Sequence, residues 1–219
     1  MNNTRLGMLR RLLHDITVSE IDTKWDLFWH HAGSYLRRAN VNAVLGPEYR
    51  LVFKRVEYNA EGRPPFIDIL AILLREDCGS VVPVGVEVKV TTRLRREQLE
   101  REVKYLPHFT ARNYLKREGF MKRWIAPHCS ERLPTANKRI YILITPLAIV
   151  READALIREV KQVLDKSGLG LSFKEPAYSH AVIPLETVLD WLGVRKDLEE
   201  LLGAWASVIG GQSTSWCSE

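Results

Sequence analysis

Apolar positions along this chain recur first at helical and then at strand spacing, and the changes of period mark out its elements. Leu6, Leu9, Leu12 and Leu13 fall at helical spacing and predict a short amphipathic helix at the start. Residues 19–38, SEIDTKWDLFWHHAGSYLRR, predict a second helix. Its acidic residues come early and its arginines late, the polarity a helix macrodipole favours. Gly46 and Pro47 break the chain, and three strands are predicted at 49–58, 66–74 and 81–90. A highly charged helix is expected over 92–118, with Leu94, Leu99, Val103, Leu106 and Leu115 facing the core and Pro107 imposing a kink. After a loop-like stretch at 124–138 come a buried strand at 139–147 and an amphipathic helix at 148–168 ended by Gly168. A strand at 171–185, broken by Pro176, a short helix at 186–202 and a mobile tail from 203 complete the pattern. The order predicts one α/β or α+β domain over residues 1–202, with a mixed central β-sheet flanked by helices and residues 148–202 as an extension.

Composition narrows this only a little. A chain of 219 residues buries an ordinary hydrophobic core, so the fold needs no metal or disulfide merely to hold it. The three cysteines, Cys78, Cys129 and Cys217, are odd in number and far apart, so neither a zinc ribbon nor a disulfide framework is expected. That favours a reducing, intracellular setting, and a soluble cytoplasmic protein is the expectation. The N-terminal stretch is broken by Arg5, Arg10 and Arg11 and does not read as a signal peptide. No window approaches the roughly 18 apolar residues of a membrane span, so no membrane partner is expected. The formal net charge of +5 suits an anionic partner without demonstrating one.

The informative stretch is FIDILAILL followed by VVPVGVEVKV. In the first strand Phe66, Leu70, Ile72 and Leu74 share a face with Asp68, while Ile67, Ile69, Ala71 and Leu73 line the other. A strand apolar on both faces is central and covered on both sides. An ionised carboxylate is costly there unless a counter-charge meets it. Alternation puts Glu87 and Lys89 on one face of the next strand and Val84, Val86, Val88 and Val90 on the other. If the strands are neighbours, Asp68 and Glu87 converge at one sheet end, where two carboxylates call for a divalent cation. An all-oxygen ligand set suits Mg²⁺ or Mn²⁺. An ion pair between Asp68 and Lys89, or a solvent-facing Glu87 and Lys89, is the structural alternative.

Asp68 with Glu87-Val88-Lys89, in a helix, three strands, helix, strand order, resembles the PD-(D/E)XK nuclease core. The resemblance covers roughly residues 19–147 and implies a restriction endonuclease-like fold. It implies that Asp68 and Glu87 bind one or two metal ions, with the Val88 carbonyl completing the shell, and that Lys89 positions water or stabilises charge. Ile67 stands where the literal motif has proline. Members often add an acid from the first core helix; Glu20 is the candidate, with Asp22 and Asp26 as alternatives. Some place a glutamine on the following helix, and Gln98 occupies that position.

Positive charge is concentrated just after this motif: residues 89–123 hold eleven Lys/Arg against four Asp/Glu. Arg93, Arg95, Arg96 and Arg101 are the candidate phosphate contacts of a nucleic-acid partner. The expectation is therefore a Mg²⁺- or Mn²⁺-dependent DNA endonuclease acting on double-stranded or branched DNA. Holliday junction resolvases, which work as homodimers, restriction-like enzymes and phage nucleases fit equally. A catalytically inactive nuclease-like fold that binds nucleic acid or a protein partner as a structural subunit is the rival. A nucleotide-binding domain fits poorly, because no glycine-rich phosphate loop follows a strand. His108, His128 and Cys129 match no zinc spacing.

Overall fold

The computed structural model describes residues 3–38, 49–56, 67–105, 118–129, 138–169, 172–174 and 177–213. Helices α1 (Asn3–Thr23) and α2 (Trp25–Arg38) open the chain. They divide at Lys24, later than the pattern suggested, because Leu13, Thr17 and Ile21 continue one buried stripe of α1 past residue 19. Five strands follow: β1 (Tyr49–Val56), β2 (Ile69–Arg75), β3 (Val81–Val88), β4 (Arg139–Thr145) and β5 (Tyr178–Pro184). Helix α3 (Arg96–Tyr105) lies between β3 and β4, and α4 (Val150–Asp165) between β4 and β5. Helices α5 (Leu185–Trp191) and α6 (Glu199–Ser213) end the fold.

The strands form one mixed sheet in chain order. β1, β2 and β3 pair antiparallel, which short turns allow; β3, β4 and β5 pair parallel, which requires the long crossovers that contain α3 and α4. The expected mixed α/β sheet with helices on its faces is therefore present. One face, with Ile69, Ala71 and Leu73 of β2 and Val82, Val84, Val86 and Val88 of β3, packs under α1, α2, α5 and α6. The other carries Leu70, Tyr141 and Leu143 under α3 and α4. Ile72, Leu74 and Val81 on that second face meet Phe120 and Ile125 from a short helical segment, residues 118–125. Ile67 departs from the expected alternation and joins Leu70 rather than Ile69. The chain bends at Asp68, ahead of the first strand residue, so strict alternation starts only at Ile69. The methyl end of Ile67 then fills the space above Gly85: a Cβ on that glycine would lie 2.1 Å from Ile67 Cδ1.

Three further expectations change. The tail from Gly203 is helical as far as Ser213, because Trp205 is buried and carries the Arg10 guanidinium 5.4 Å above its ring. The long helix at 92–118 begins only at Arg96; Leu106, Pro107 and Leu115 lie outside the described residues. Cys78 and Cys129, expected free, form a disulfide between the β2–β3 turn and the end of the 118–129 segment. Packing of that segment on β2 and β3 brings together residues 51 apart, so their spacing gives no argument for a reducing compartment. Among the described residues, no helix is long and apolar enough to cross a membrane.

Candidate active site

The register of the sheet places the motif. Ile69 pairs with Val86 in the antiparallel β2–β3 ladder, so Asp68, one residue earlier, comes alongside Glu87 and Val88. The Val88 N–H donates to Asp68 Oδ2 at 2.6 Å. Val88 itself pairs with Ile144 of β4, and the Lys89 N–H donates to the Ile144 carbonyl at 2.8 Å. The motif thus lies at the carboxyl ends of the parallel strands β3 and β4, where open α/β sheets bind their ligands.

Four more side chains from three elements converge here. Lys89 Nζ donates to Glu87 Oε1 at 2.8 Å and pairs with Glu102 Oε1 of α3 at 2.6 Å. The Tyr141 hydroxyl of β4 donates to Glu102 Oε2 at 3.2 Å. On the other side, His14 Nε2 of α1 donates to Asp68 Oδ1 at 3.1 Å while its Nδ1 meets Asp15 at 2.9 Å. The Asp68–Lys89 pair, the structural alternative, does not form, because Lys89 projects toward α3 and Asp68 toward α1.

Electrostatics follow from the crowding. Burial, then the charge of Asp68, pushes the Glu87 carboxyl well above the usual carboxylate range; Lys89 opposes this and Glu102 adds to it. Burial alone would lower Lys89, but Glu87 and Glu102 outweigh it and hold the ammonium above its ordinary value. Burial raises Glu102, against the opposing hydrogen bonds and charge of Lys89, Tyr141 and Gln98. Burial, then Glu102, pushes the Tyr141 hydroxyl well up, so it remains a donor. His14 is raised to about 9, chiefly by its hydrogen bond to Asp68 against the cost of burial, and is a cation at neutral pH. The site therefore sets three carboxylates, Asp68, Glu87 and Glu102, against two cations, His14 and Lys89.

One atom in this network is left over. Glu87 Oε2 is buried and has no hydrogen-bond partner. Buried polar atoms are almost always satisfied, so an orphaned carboxylate oxygen beside a second carboxylate asks for a cation. Among the described residues, no group of three or more His, Cys, Asp and Glu is arranged to hold a metal ion. Two carboxylates still suit Mg²⁺, which commonly takes only one or two from the protein and fills its shell with water and phosphate oxygens. Asp68, Glu87 and the Val88 carbonyl are the oxygen donors that could hold such an ion.

The other expected residues are distributed as follows. Gln98 is exposed on α3 and hydrogen-bonds Glu102, so it reaches the site through that carboxylate. Glu20 pairs with Lys24 at 2.8 Å and Asp22 with Lys54 at 2.8 Å, while Asp26 is exposed; the charges acting on Glu87 come instead from Asp68, Lys89 and Glu102. Arg96 pairs with Glu159 of α4 at 2.8 Å, and Arg101 donates to its own helix at the Glu97 carbonyl. Arg93 and Arg95 are exposed near the start of α3. Glu102 and His14 were not singled out from the sequence. Glu102 sits in a run of charges that reads as a solvated helix face, and only its four-residue spacing from Gln98 hinted at a shared face. Nothing in the α1 sequence marks His14. No family model matches this chain, and no curated protein or solved structure shows significant similarity to it.

Proposed function

We propose that this chain is a divalent-metal-dependent nuclease of the PD-(D/E)XK type, with a restriction endonuclease-like core, that hydrolyses phosphodiester bonds in DNA. The observation that carries the reading is the orphaned Glu87 oxygen, buried beside Asp68 at the carboxyl ends of β3 and β4. Asp68 and Glu87, with the Val88 carbonyl, would hold Mg²⁺ or Mn²⁺. When bound, such an ion polarises the phosphodiester and generates a nucleophile from water at neutral pH. Lys89 stays protonated, so its role is to set a fixed positive charge where the phosphoryl oxygens gain charge. Glu102 and Tyr141 are positioning residues: Glu102 holds the ammonium, and Tyr141 and Gln98 hold Glu102. His14 orients Asp68 and neutralises it.

A second reading has its own observation. Both Asp68 oxygens already have donors, from His14 and Val88, and Lys89 is held by two carboxylates. A site satisfied in this way suits a nucleic-acid-binding subunit that does no chemistry. End-labelled linear, nicked and four-way-branched DNA, incubated with Mg²⁺ or Mn²⁺, separates the two. Cutting by the wild type and none by Glu87→Ala supports the nuclease, and the preferred substrate names its subclass. Binding by both proteins with cutting by neither leaves the binding subunit standing. Cutting at equal rates by both removes the chemistry from this strand. Light scattering of the free and DNA-bound protein tests whether two copies act together.

A further inference from the structure

The basic residues expected to carry the nucleic acid lie on α3 and just ahead of it, yet Arg96 and Arg101 of that set are engaged in contacts of their own. A different basic surface borders the candidate site from the opposite layer. The adjacent pair Arg10 and Arg11 stands three and four residues from both Gly7 and His14, so the four share one side of α1. With Asp15 and Val90 they line an open cavity of about 420 Å³. Val90 is two residues beyond Val88, and His14 is itself bonded to Asp68, so the cavity adjoins the carboxylate pair.

The charges facing this space can be counted. Arg10 and Arg11 give two positive groups and Asp15 one negative, a net of +1 without His14, whose ring is bonded to Asp68. Asp15 is spoken for by His14 at 2.9 Å and by Arg11 at 3.7 Å. Arg10 has no ion pair among the described residues, and its Nε is buried without a hydrogen-bond partner. The ring of Trp205 lies 5.4 Å from the guanidinium carbon and packs against that side of it, at the edge of the cavity. A Cβ built on Gly7 would meet nothing within 4 Å, which leaves that wall of the space open. A guanidinium with no carboxylate partner is the preferred protein group for a phosphate oxygen.

We propose that this α1 cavity is a phosphate subsite in which Arg10 and Arg11 hold backbone phosphates of the DNA whose neighbouring linkage lies at Asp68 and Glu87. This rests on the nucleic-acid reading above and adds to it the surface along which the strand runs. The α1 arginines, and not the α3 arginines alone, set the affinity.

The test is fluorescence anisotropy of a labelled DNA duplex with Ca²⁺ in place of Mg²⁺, over a KCl series. The proteins are wild type, Arg10→Gln/Arg11→Gln, Arg10→Lys/Arg11→Lys and the control Arg151→Gln/Arg158→Gln on α4. Thermal melting verifies that each is folded. Two lost phosphate contacts weaken binding by about tenfold or more at low salt and flatten the slope of log affinity against log salt by roughly 1.8. The lysine pair retains most of the affinity, the control is near wild type, and the loss is uniform across duplex sequences. Wild-type binding that Arg10→Gln/Arg11→Gln leaves unchanged overturns the subsite alone. Equal losses in the α4 control, or in the lysine pair, also overturn it, by showing diffuse charge or a packing role. No binding by the wild type overturns the nucleic-acid reading, and the subsite with it.

Discussion

Replacing Glu87 by glutamine is expected to make the metal-free protein more stable while abolishing its proposed chemistry. The side chain is buried, one carboxylate oxygen is bonded to Lys89 at 2.8 Å, and the other has no partner. Leaving a buried polar atom unsatisfied costs about 1–3 kcal/mol. Glutamine keeps an oxygen for Lys89 and supplies an N–H₂ group in place of the orphaned oxygen. It also removes one of three carboxylates and leaves Asp68 and Glu102 balanced by His14 and Lys89. A gain of about 1–2 kcal/mol is therefore expected, some 2–8 °C in melting temperature for a domain of this length. The pH dependence follows from the sign of the shift. Glu87 is raised above its ordinary 4.5, so its ionisation opposes folding above that value and has no effect below it. The advantage of Glu87→Gln should therefore grow as pH rises from about 4.5 and disappear in more acid solution. Calorimetry in EDTA at several pH values measures it directly. A second arm adds Mg²⁺, which should raise the wild-type melting temperature and leave Glu87→Gln unmoved. A variant that is less stable than wild type at neutral pH in EDTA would refute the view that this carboxylate is held at a cost for the sake of a cation.

Three other outcomes are expected. Reducing the Cys78–Cys129 disulfide, whose cysteines lie 51 residues apart, should lower stability by about 4 kcal/mol on the chain-entropy estimate; urea unfolding with and without a thiol reductant reads this, and identical midpoints would mean that no bond forms in solution. Gly85→Ala drives a methyl group into Ile67 Cδ1, within a strand two residues from Glu87, and overpacking of this kind costs about 1–3 kcal/mol. Denaturant titration that shows no loss would mean Ile67 swings aside freely despite being fully buried. His14, raised to about 9 from 6.5, contributes stability that is fully present below 6.5 and lost as pH rises through 9. His14→Gln should flatten the alkaline limb of a stability–pH curve in that window, and an unchanged limb would show that its pairing with Asp68 is absent in solution.

How far the site could be read from the sequence depends on how local its geometry is. An aspartate at the head of an all-apolar run, and a Glu-x-Lys on an alternating strand, report their own placement because strand side chains obey a period of two. That local rule put Glu87 and Lys89 on one face and the valines on the other, and the structure agrees. It failed for Ile67 and Asp68, where the backbone bends before the strand begins: Ile67 joins the face of Leu70, and Asp68, expected on that face, meets His14 of α1 instead. Residues that reach the site from other layers carry no such mark. His14 comes from a helix 54 residues before Asp68, and Glu102 looks like one charge among many on α3 until packing turns it toward Lys89. The same holds for Cys78 and Cys129, whose meeting depends on how the 118–129 segment lies across β2 and β3. The sequence by itself determined the central strands, the helices that alternate with them, and the shared face of Glu87 and Lys89, since each follows from short-range periodicity. Only tertiary packing decided which counter-charges Asp68, Glu87 and Lys89 meet and which oxygen is left without one, because these depend on the docking of α1 and α3 on opposite faces of one sheet.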